Sequence, residues 1–235
     1  MRILAIDSSG LVASVAIATE DALLAEYTIN YKKTHSQTLL PMLDDVVHMV
    51  DLDLSEVDAI AITAGPGSFT GLRIGAATAK GLGLALDRPI IPVPTVDSLA
   101  YNLYGTDKMV CPLMDARRNQ VYTGLYEFSG EKLVILSPQK AVDIDEIIDE
   151  INQMGRTAIF LGDGVPIHRD RIIERMETEY AFAPLHMNRQ RAGAVAALGL
   201  EYYRDKRFES AAEHQPVYLR MSQAERERAE KLSGR

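Results

Sequence analysis

The stretch Gly65-Pro66-Gly67-Ser68-Phe69-Thr70-Gly71-Leu72-Arg73-Ile74-Gly75 constrains the fold of this chain more than any other. It follows an apolar run, Asp58-Ala59-Ile60-Ala61-Ile62-Thr63-Ala64, that reads as a buried strand. It then opens a helix over 70–86 whose small residues recur every four positions, at Gly71, Gly75, Ala79 and Gly83. An interior glycine costs a helix about 1 kcal/mol relative to alanine. A stripe of them implies that another backbone comes close, and the spacing predicts contact with a second helix. The loop from Gly65 to Gly71 lacks the Gly-Lys-Ser/Thr ending of a P-loop. It is weak as a nucleotide motif and strong as a tight strand-to-helix turn.

A second helix is expected over 36–50, with Ser36 as its N-cap and Pro41 bending it just past the first turn. Gln37, Asp44, His48 and Asp51 form one polar stripe. The rest is apolar almost all round: Leu39, Leu40, Met42, Leu43, Val46, Val47, Met49 and Val50. A surface helix normally carries an apolar face just over a quarter of the circumference wide. This one needs burial on two sides. One side is its own sheet. The other is either a neighbouring helix of the same domain or a second subunit. The subunit reading makes Leu39, Leu40, Leu43, Val46, Val47, Val50, Gly71, Leu72, Gly75, Ala79 and Gly83 a partner interface.

The chain opens with three strand-like runs, Ile3–Ser8, Ala13–Thr19 and Leu23–Ile29, with breaks short enough for antiparallel hairpins. A strand at Ile90–Val93 and a short helix from Val96 to Leu103 close this part. The pattern then restarts. Val110-Cys111-Pro112-Leu113-Met114-Asp115 matches Arg2-Ile3-Leu4-Ala5-Ile6-Asp7, with the terminal Asp residues 108 positions apart (115 − 7). Strands over 120–128 and 132–136, helices over 144–153 and 189–204, and a strand over 157–161 follow. Residues 1–106 and 107–220 thus read as two α/β halves, with 221–235 as a charged tail alternating Glu and Arg, a solvated and frayed helix.

Two strand-strand-strand-helix halves, each with an Asp ending its first strand, resemble the actin-like ATPase (ASKHA) fold. In active members the two Asp residues face each other across a nucleotide cleft, and the turns beside them hold phosphates through backbone N–H groups. Asp7-Ser8-Ser9-Gly10 suits a first phosphate turn and equally an ordinary hairpin turn. The second turn decides more. After Asp115 come Ala116-Arg117-Arg118, where a working turn calls for glycines. Asp7, Ser8, Ser9, Asp115, Arg117 and Arg118 are therefore expected to line a degenerate cleft. The arginines either pair with the carboxylates or meet an anionic ligand.

Composition narrows the function. The formal net charge of the 235-residue chain is -8, which argues against nucleic-acid binding by this chain alone. It leaves open a complex whose partner supplies the basic surface. The single Cys111 excludes an internal disulfide and fits a reducing compartment. With no visible signal peptide or membrane span, a cytoplasmic location is expected. The five histidines form no i, i+3 or i+4 pair, so no helix-borne metal site is expected. Cys111 sits inside an apolar strand and no Gly-x-Ser-x-Gly elbow is present, so neither nucleophile is credible.

These residues together resemble the TsaB family, also called YeaZ. The matching pieces are Ile3-Leu4-Ala5-Ile6-Asp7-Ser8-Ser9, His35-Ser36-Gln37 running into Leu39-Leu40-Pro41, and Gly65 to Gly75 with Ala79-Lys80-Gly81. Asp115-Ala116-Arg117-Arg118 with Val121-Tyr122, and Pro216 with Tyr218-Leu219-Arg220, complete the set. The resemblance implies a non-catalytic scaffold or activating subunit, without cofactor, in the bacterial complex that makes threonylcarbamoyladenosine beside the tRNA anticodon. It implies a TsaD-like catalytic subunit and a TsaE-like ATPase as partners, a homodimer when alone, and tRNA reached only through the complex. The TsaD family's His-x-x-x-His metal motif is missing here. Descriptions of relatives as proteases find no support in these residues. The competing reading is a stand-alone actin-fold ATPase or phosphotransferase, and the Asp115-Ala116-Arg117-Arg118 turn speaks against it.

Overall fold

The computed structural model describes residues 1–31 and 34–220; the tail over 221–235 lies outside the described residues. The first half runs β1 (Arg2–Asp7), β2 (Ala13–Thr19), β3 (Leu23–Ile29), α1 (His35–Met49), β4 (Ala59–Gly65), α2 (Phe69–Leu86), β5 (Ile90–Pro94) and α3 (Thr95–Tyr101). The second half runs β6 (Met109–Asp115), β7 (Gln120–Ser129), β8 (Lys132–Asp143), α4 (Ile144–Met154), β9 (Ala158–Leu161), α5 (Val165–Arg175), β10 (Tyr180–Phe182) and α6 (Ala192–Arg204). The sheets are ordered β3-β2-β1-β4-β5 and β8-β7-β6-β9-β10. In each, the first three strands are antiparallel and the last two run parallel to the first. The duplicated unit is longer than the sequence suggests, because α5 and β10 complete the second copy. This doubling is the actin-like ATPase architecture.

Each sheet is covered on both faces, and one cover is exchanged. Helices α1 and α2 press Leu39, Met42, Leu43, Val46 and Ala79 onto Leu4, Ile6, Val15, Ile17, Ile60 and Ile62. The other face of that sheet, through Ile3, Ala5, Ala59, Ala61 and Ile91, is covered by Val195, Ala196 and Leu198 of α6. On the second sheet, α4 and α5 cover one face. Val96, Leu99 and Ala100 of α3 cover the other, against Val110, Met114, Tyr126 and Leu161. Each half thus lends its last helix to the other. A helix over 189–204, expected to belong to the second half, starts at Ala192 and packs on the first sheet.

The glycine stripe faces inward, which corrects the expected interface. A Cβ at Gly71 would lie 2.1 Å from the Ser8 carbonyl oxygen, and one at Gly75 would lie 2.2 Å from Ser8 Oγ. At Gly83 it would lie 2.8 Å from Ala211 Cβ. Gly71, Leu72, Gly75, Ala79 and Gly83 are all buried within this chain. The backbone that comes close is the β1–β2 turn, not a partner helix. Likewise Leu39, Leu43 and Val46 belong to the core, and Val47 and Val50 sit half-buried at its edge. The apolar side chains of α1 that stand out are Leu40, 58% exposed, and Met49, 85% exposed. Thr34, not Ser36, occupies the cap position, without a side-chain cap bond.

Candidate functional site: a cleft between the two sheets

Four loops with the same origin in each half meet at one end of the sheets: the β1–β2 and β6–β7 turns and the β4–α2 and β9–α5 loops. They enclose a cavity of about 460 Å³ with Ser9, Pro66, Phe69, Asp115, Tyr122 and Asp163 among its lining residues. The β4–α2 and β9–α5 loops are twins. Gly65 has φ 120° and Gly162 φ 109°. A Cβ at either would lie 2.1 Å from a carbonyl oxygen, of Val217 and Leu113 respectively. Both positions require glycine for conformation and for space. Gly162-Asp163-Gly164 lies between a strand and a helix in the sequence, and that signal could have found it.

Asp7 ends β1 beneath the cleft and is fully buried. Its Oδ1 accepts from Ser9 N at 2.9 Å, Ser9 Oγ at 2.6 Å and Thr63 Oγ1 at 3.2 Å. Its Oδ2 has no partner among the described residues. Burial raises its pKa above the ordinary carboxylate value, against the lowering effect of those bonds and of His35. Ser8 Oγ donates to the Gly71 carbonyl at 2.9 Å, and Ser68 N donates to the Ser9 carbonyl at 2.7 Å. The first turn is therefore tied to the start of α2, whose N-cap is Ser68. His35 Nε2 lies 2.8 Å from the Gly10 carbonyl oxygen.

The second turn is built differently. Arg117, Arg118 and Asn119 have φ of 64°, 55° and 61°, three successive residues in the left-handed region. Arg117 N donates to Asp115 Oδ1 at 2.8 Å, and its guanidinium lies 3.3 Å from Asp115 Oδ2. Of the two pairings the sequence allowed, Arg117 takes Asp115. Arg118 is exposed, with no salt bridge among the described residues. Asp163 accepts from Asp115 N at 3.3 Å, and burial raises its pKa.

Residues 209–220 run along the edge of the first sheet and end across the cleft. Glu209 pairs with Ile90, and Lys80 Nζ donates to the carbonyls of Ala212 and His214. Val217 N donates to Ala64 O at 2.7 Å. Tyr218 packs on Phe69 with ring centroids 4.9 Å apart and accepts from Arg73 Nε at 3.3 Å. Arg220 donates to the Ala116 carbonyl, so the strap reaches the second half. Among the described residues no three His, Cys, Asp or Glu side chains gather to hold a metal ion. Cys111 is fully buried, and burial pushes its thiol up to about 12, far from nucleophilic use.

Comparison with known proteins agrees with this architecture. Residues 22–228 match the family described as TsaD, tRNA N6-adenosine threonylcarbamoyltransferase. The tRNA threonylcarbamoyladenosine biosynthesis protein TsaB of Bacillus subtilis (strain 168) is 34% identical over 227 residues, 96% of each chain. The protein of that name from Escherichia coli (strain K12) is 32% identical over 70% of this chain and 72% of its own. Among solved structures, YeaZ from Pseudomonas aeruginosa superposes with a TM-score of 0.77 at 27% identity, covering 93% of this chain and 99% of that one.

Proposed function

The chain belongs to the TsaD family and, within it, to TsaB, and from that premise we propose that it is a non-catalytic scaffold and activator in tRNA threonylcarbamoyladenosine synthesis. The observation that carries this reading is the second turn. In a working cleft of this fold, the turn beside each Asp offers free backbone N–H groups to phosphate. Here Arg117 N is spent on Asp115, and the guanidinium covers the other oxygen. Asp7 is sealed below the surface with its Oδ1 already bonded to three donors. The strap closes on both sheets. A cleft whose second turn spends its backbone N–H and its carboxylate on each other suits a subunit that acts through its surface.

That surface is the outward strip of α1 and α2, carried by Leu40 and Met49 on one helix and Arg73, Ala77, Gly81 and Leu84 on the other, all exposed. A TsaD-type catalytic subunit docks there, a second copy of this chain takes its place when that subunit is absent, and a TsaE-type ATPase joins the pair. The tRNA is reached through the assembled complex, in keeping with the net charge of -8.

Reconstitution tests the reading. A TsaD-type subunit should copurify with this chain and form threonylcarbamoyladenosine only when it is added. The chain alone should hydrolyse ATP with Mg²⁺ no faster than background. Turnover by the isolated chain that Asp7→Ala abolishes would favour the stand-alone ATPase instead.

A further inference from the structure

Two arginines line the cleft and two more lie beside it. Arg117 and Arg220 line the cavity. Arg73 bonds to Tyr218, which also lines it. Arg118 follows Arg117 in the strained turn. Arg117 has a carboxylate partner, Asp115. Among the described residues no ion pair forms at Arg73, Arg118 or Arg220: Arg73 rests on the Phe69 ring and the Tyr218 hydroxyl, and Arg220 on a backbone carbonyl. The cavity's own carboxylates are Asp115 and Asp163. Arg117 and Arg220 balance these two carboxylates within the lining, and Arg73 and Arg118 add two cations without an ion-pair partner beside it, in a chain of net charge -8.

The turn that carries Arg117 and Arg118 is itself strained, with three successive residues in the left-handed region. Non-glycine residues in the left-handed region cost about 1–2 kcal/mol each. The strain is held by Ala116 N on Gln120 O at 2.9 Å, Gln120 N on Arg117 O at 3.1 Å, and Asn119 Nδ2 on Asp143. What it displays is Arg117, with a side chain 84% exposed, and the exposed Arg118. Neither residue belongs to the hydrophobic core. Strain of this kind collects at ligand clamps.

We propose that this arginine rim binds the phosphate backbone of the tRNA while the catalytic partner occupies the neighbouring α1–α2 face. Arg73, on α2, joins the two surfaces. The inference rests on the functional reading above. The placement of charge favours a polyanion lying across the lip. A small nucleotide entering the cavity would approach the half-buried carboxylates of Asp115 and Asp163. A strand of phosphates across the mouth meets the guanidiniums of Arg73, Arg118 and Arg220, which have no carboxylate partner among the described residues and whose fork matches phosphate oxygens.

The test uses an Arg117→Gln/Arg118→Gln chain in complex with the catalytic subunit, and labelled tRNA titrated from about 50 to 200 mM salt. The variant complex should assemble and melt as the parent does. It should bind tRNA more weakly, with a log–log salt slope shallower by about 2, one for each phosphate that an arginine no longer neutralises. Equal affinity and slope in an assembled variant would overturn the proposal. Should the parent chain fail to assemble, the functional reading falls. The rim is then decided by the isolated chain at low salt: weak tRNA binding that the double variant loses supports it, and no difference overturns it. Saturable binding of ATP or poly-glutamate at the rim, with tRNA ignored, would also overturn it.

Discussion

At Gly75 the space of a side chain is already taken by Ser8 Oγ and Ile62, whereas a Cβ at Gly81, on the same helix, meets nothing within 4 Å. Alanine should therefore act in opposite directions at the two positions. Gly75→Ala should lose about 1–3 kcal/mol by overpacking, and Gly81→Ala should gain up to about 1 kcal/mol of helix propensity. Urea unfolding of both variants checks this, and equal shifts would mean that the inward face has been misassigned. Asp7 makes a second residue-scale prediction. Burial raises its pKa above the ordinary 3.8, so the native chain keeps a proton that the unfolded chain has released. Between 3.8 and the higher native value this residue's contribution to stability falls as pH rises. Asp7→Asn keeps the Oδ1 acceptor and removes the titration. Its stability relative to the parent should rise with pH between about 3.8 and the higher native value and stay level on either side of that window, in unfolding curves taken across pH 3–8. Both Asp residues of the cleft were legible as the ends of matching apolar strands. Arg220 was legible as part of a motif but not as a clasp, because its partner, the Ala116 carbonyl, is a backbone atom 104 positions away.

Helices α1 and α2 show where pattern alone is ambiguous. An apolar helix and a small-residue stripe are what a subunit interface needs, and equally what a helix wedged onto its own sheet needs. The missing information was the partner of the stripe, which is the β1–β2 turn at Gly71 and Gly75 and Ala211 at Gly83. A turn carries no periodic signal of its own. The test of association moves accordingly. Gly75→Arg should unfold the chain. Gly81→Arg places the same charge on the outward face of α2, should leave circular dichroism and melting unchanged, and should abolish association with the TsaD-type subunit in sedimentation. A folded Gly81→Arg variant that still associates would put the docking surface elsewhere. Helix α5 was missed for a related reason. Only Val165, His168 and Ile172 are buried along Val165–Arg175, too narrow a stripe to stand out among its charged residues. Strand β10 has three residues, all half-buried.

Exchange of the last helices makes the two halves inseparable. A boundary near residue 106 describes which strands share a sheet, yet it leaves each sheet with one bare face. In a fragment of residues 1–106, Ile3, Ala5, Ala16, Ala59, Ala61, Ile91 and Val93 would lose the cover that Val195, Ala196, Leu198 and Tyr202 provide. The fit there is close: a Cβ at Gly199 would lie 2.8 Å from Ala61 Cβ. Polar ties cross the same junction. Tyr126 of β7 donates to Asp97 of α3 at 2.7 Å, and Tyr101 of α3 donates to Glu201 of α6 at 2.8 Å. Asp97 is buried, and without Tyr126 its carboxylate would lose a donor, at a cost of about 1–3 kcal/mol for a buried group. The fragment 1–106 should therefore unfold without cooperativity, show little near-UV circular dichroism and bind a hydrophobic dye. Joining residues 190–220 to it through a flexible linker returns α6 and the strap, and should restore a cooperative transition. If the bare fragment already unfolds cooperatively with native-like amide protection, the first sheet is stable without its borrowed helix. The halves would then be free to move independently about the cleft, rather than being held by the helices they exchange.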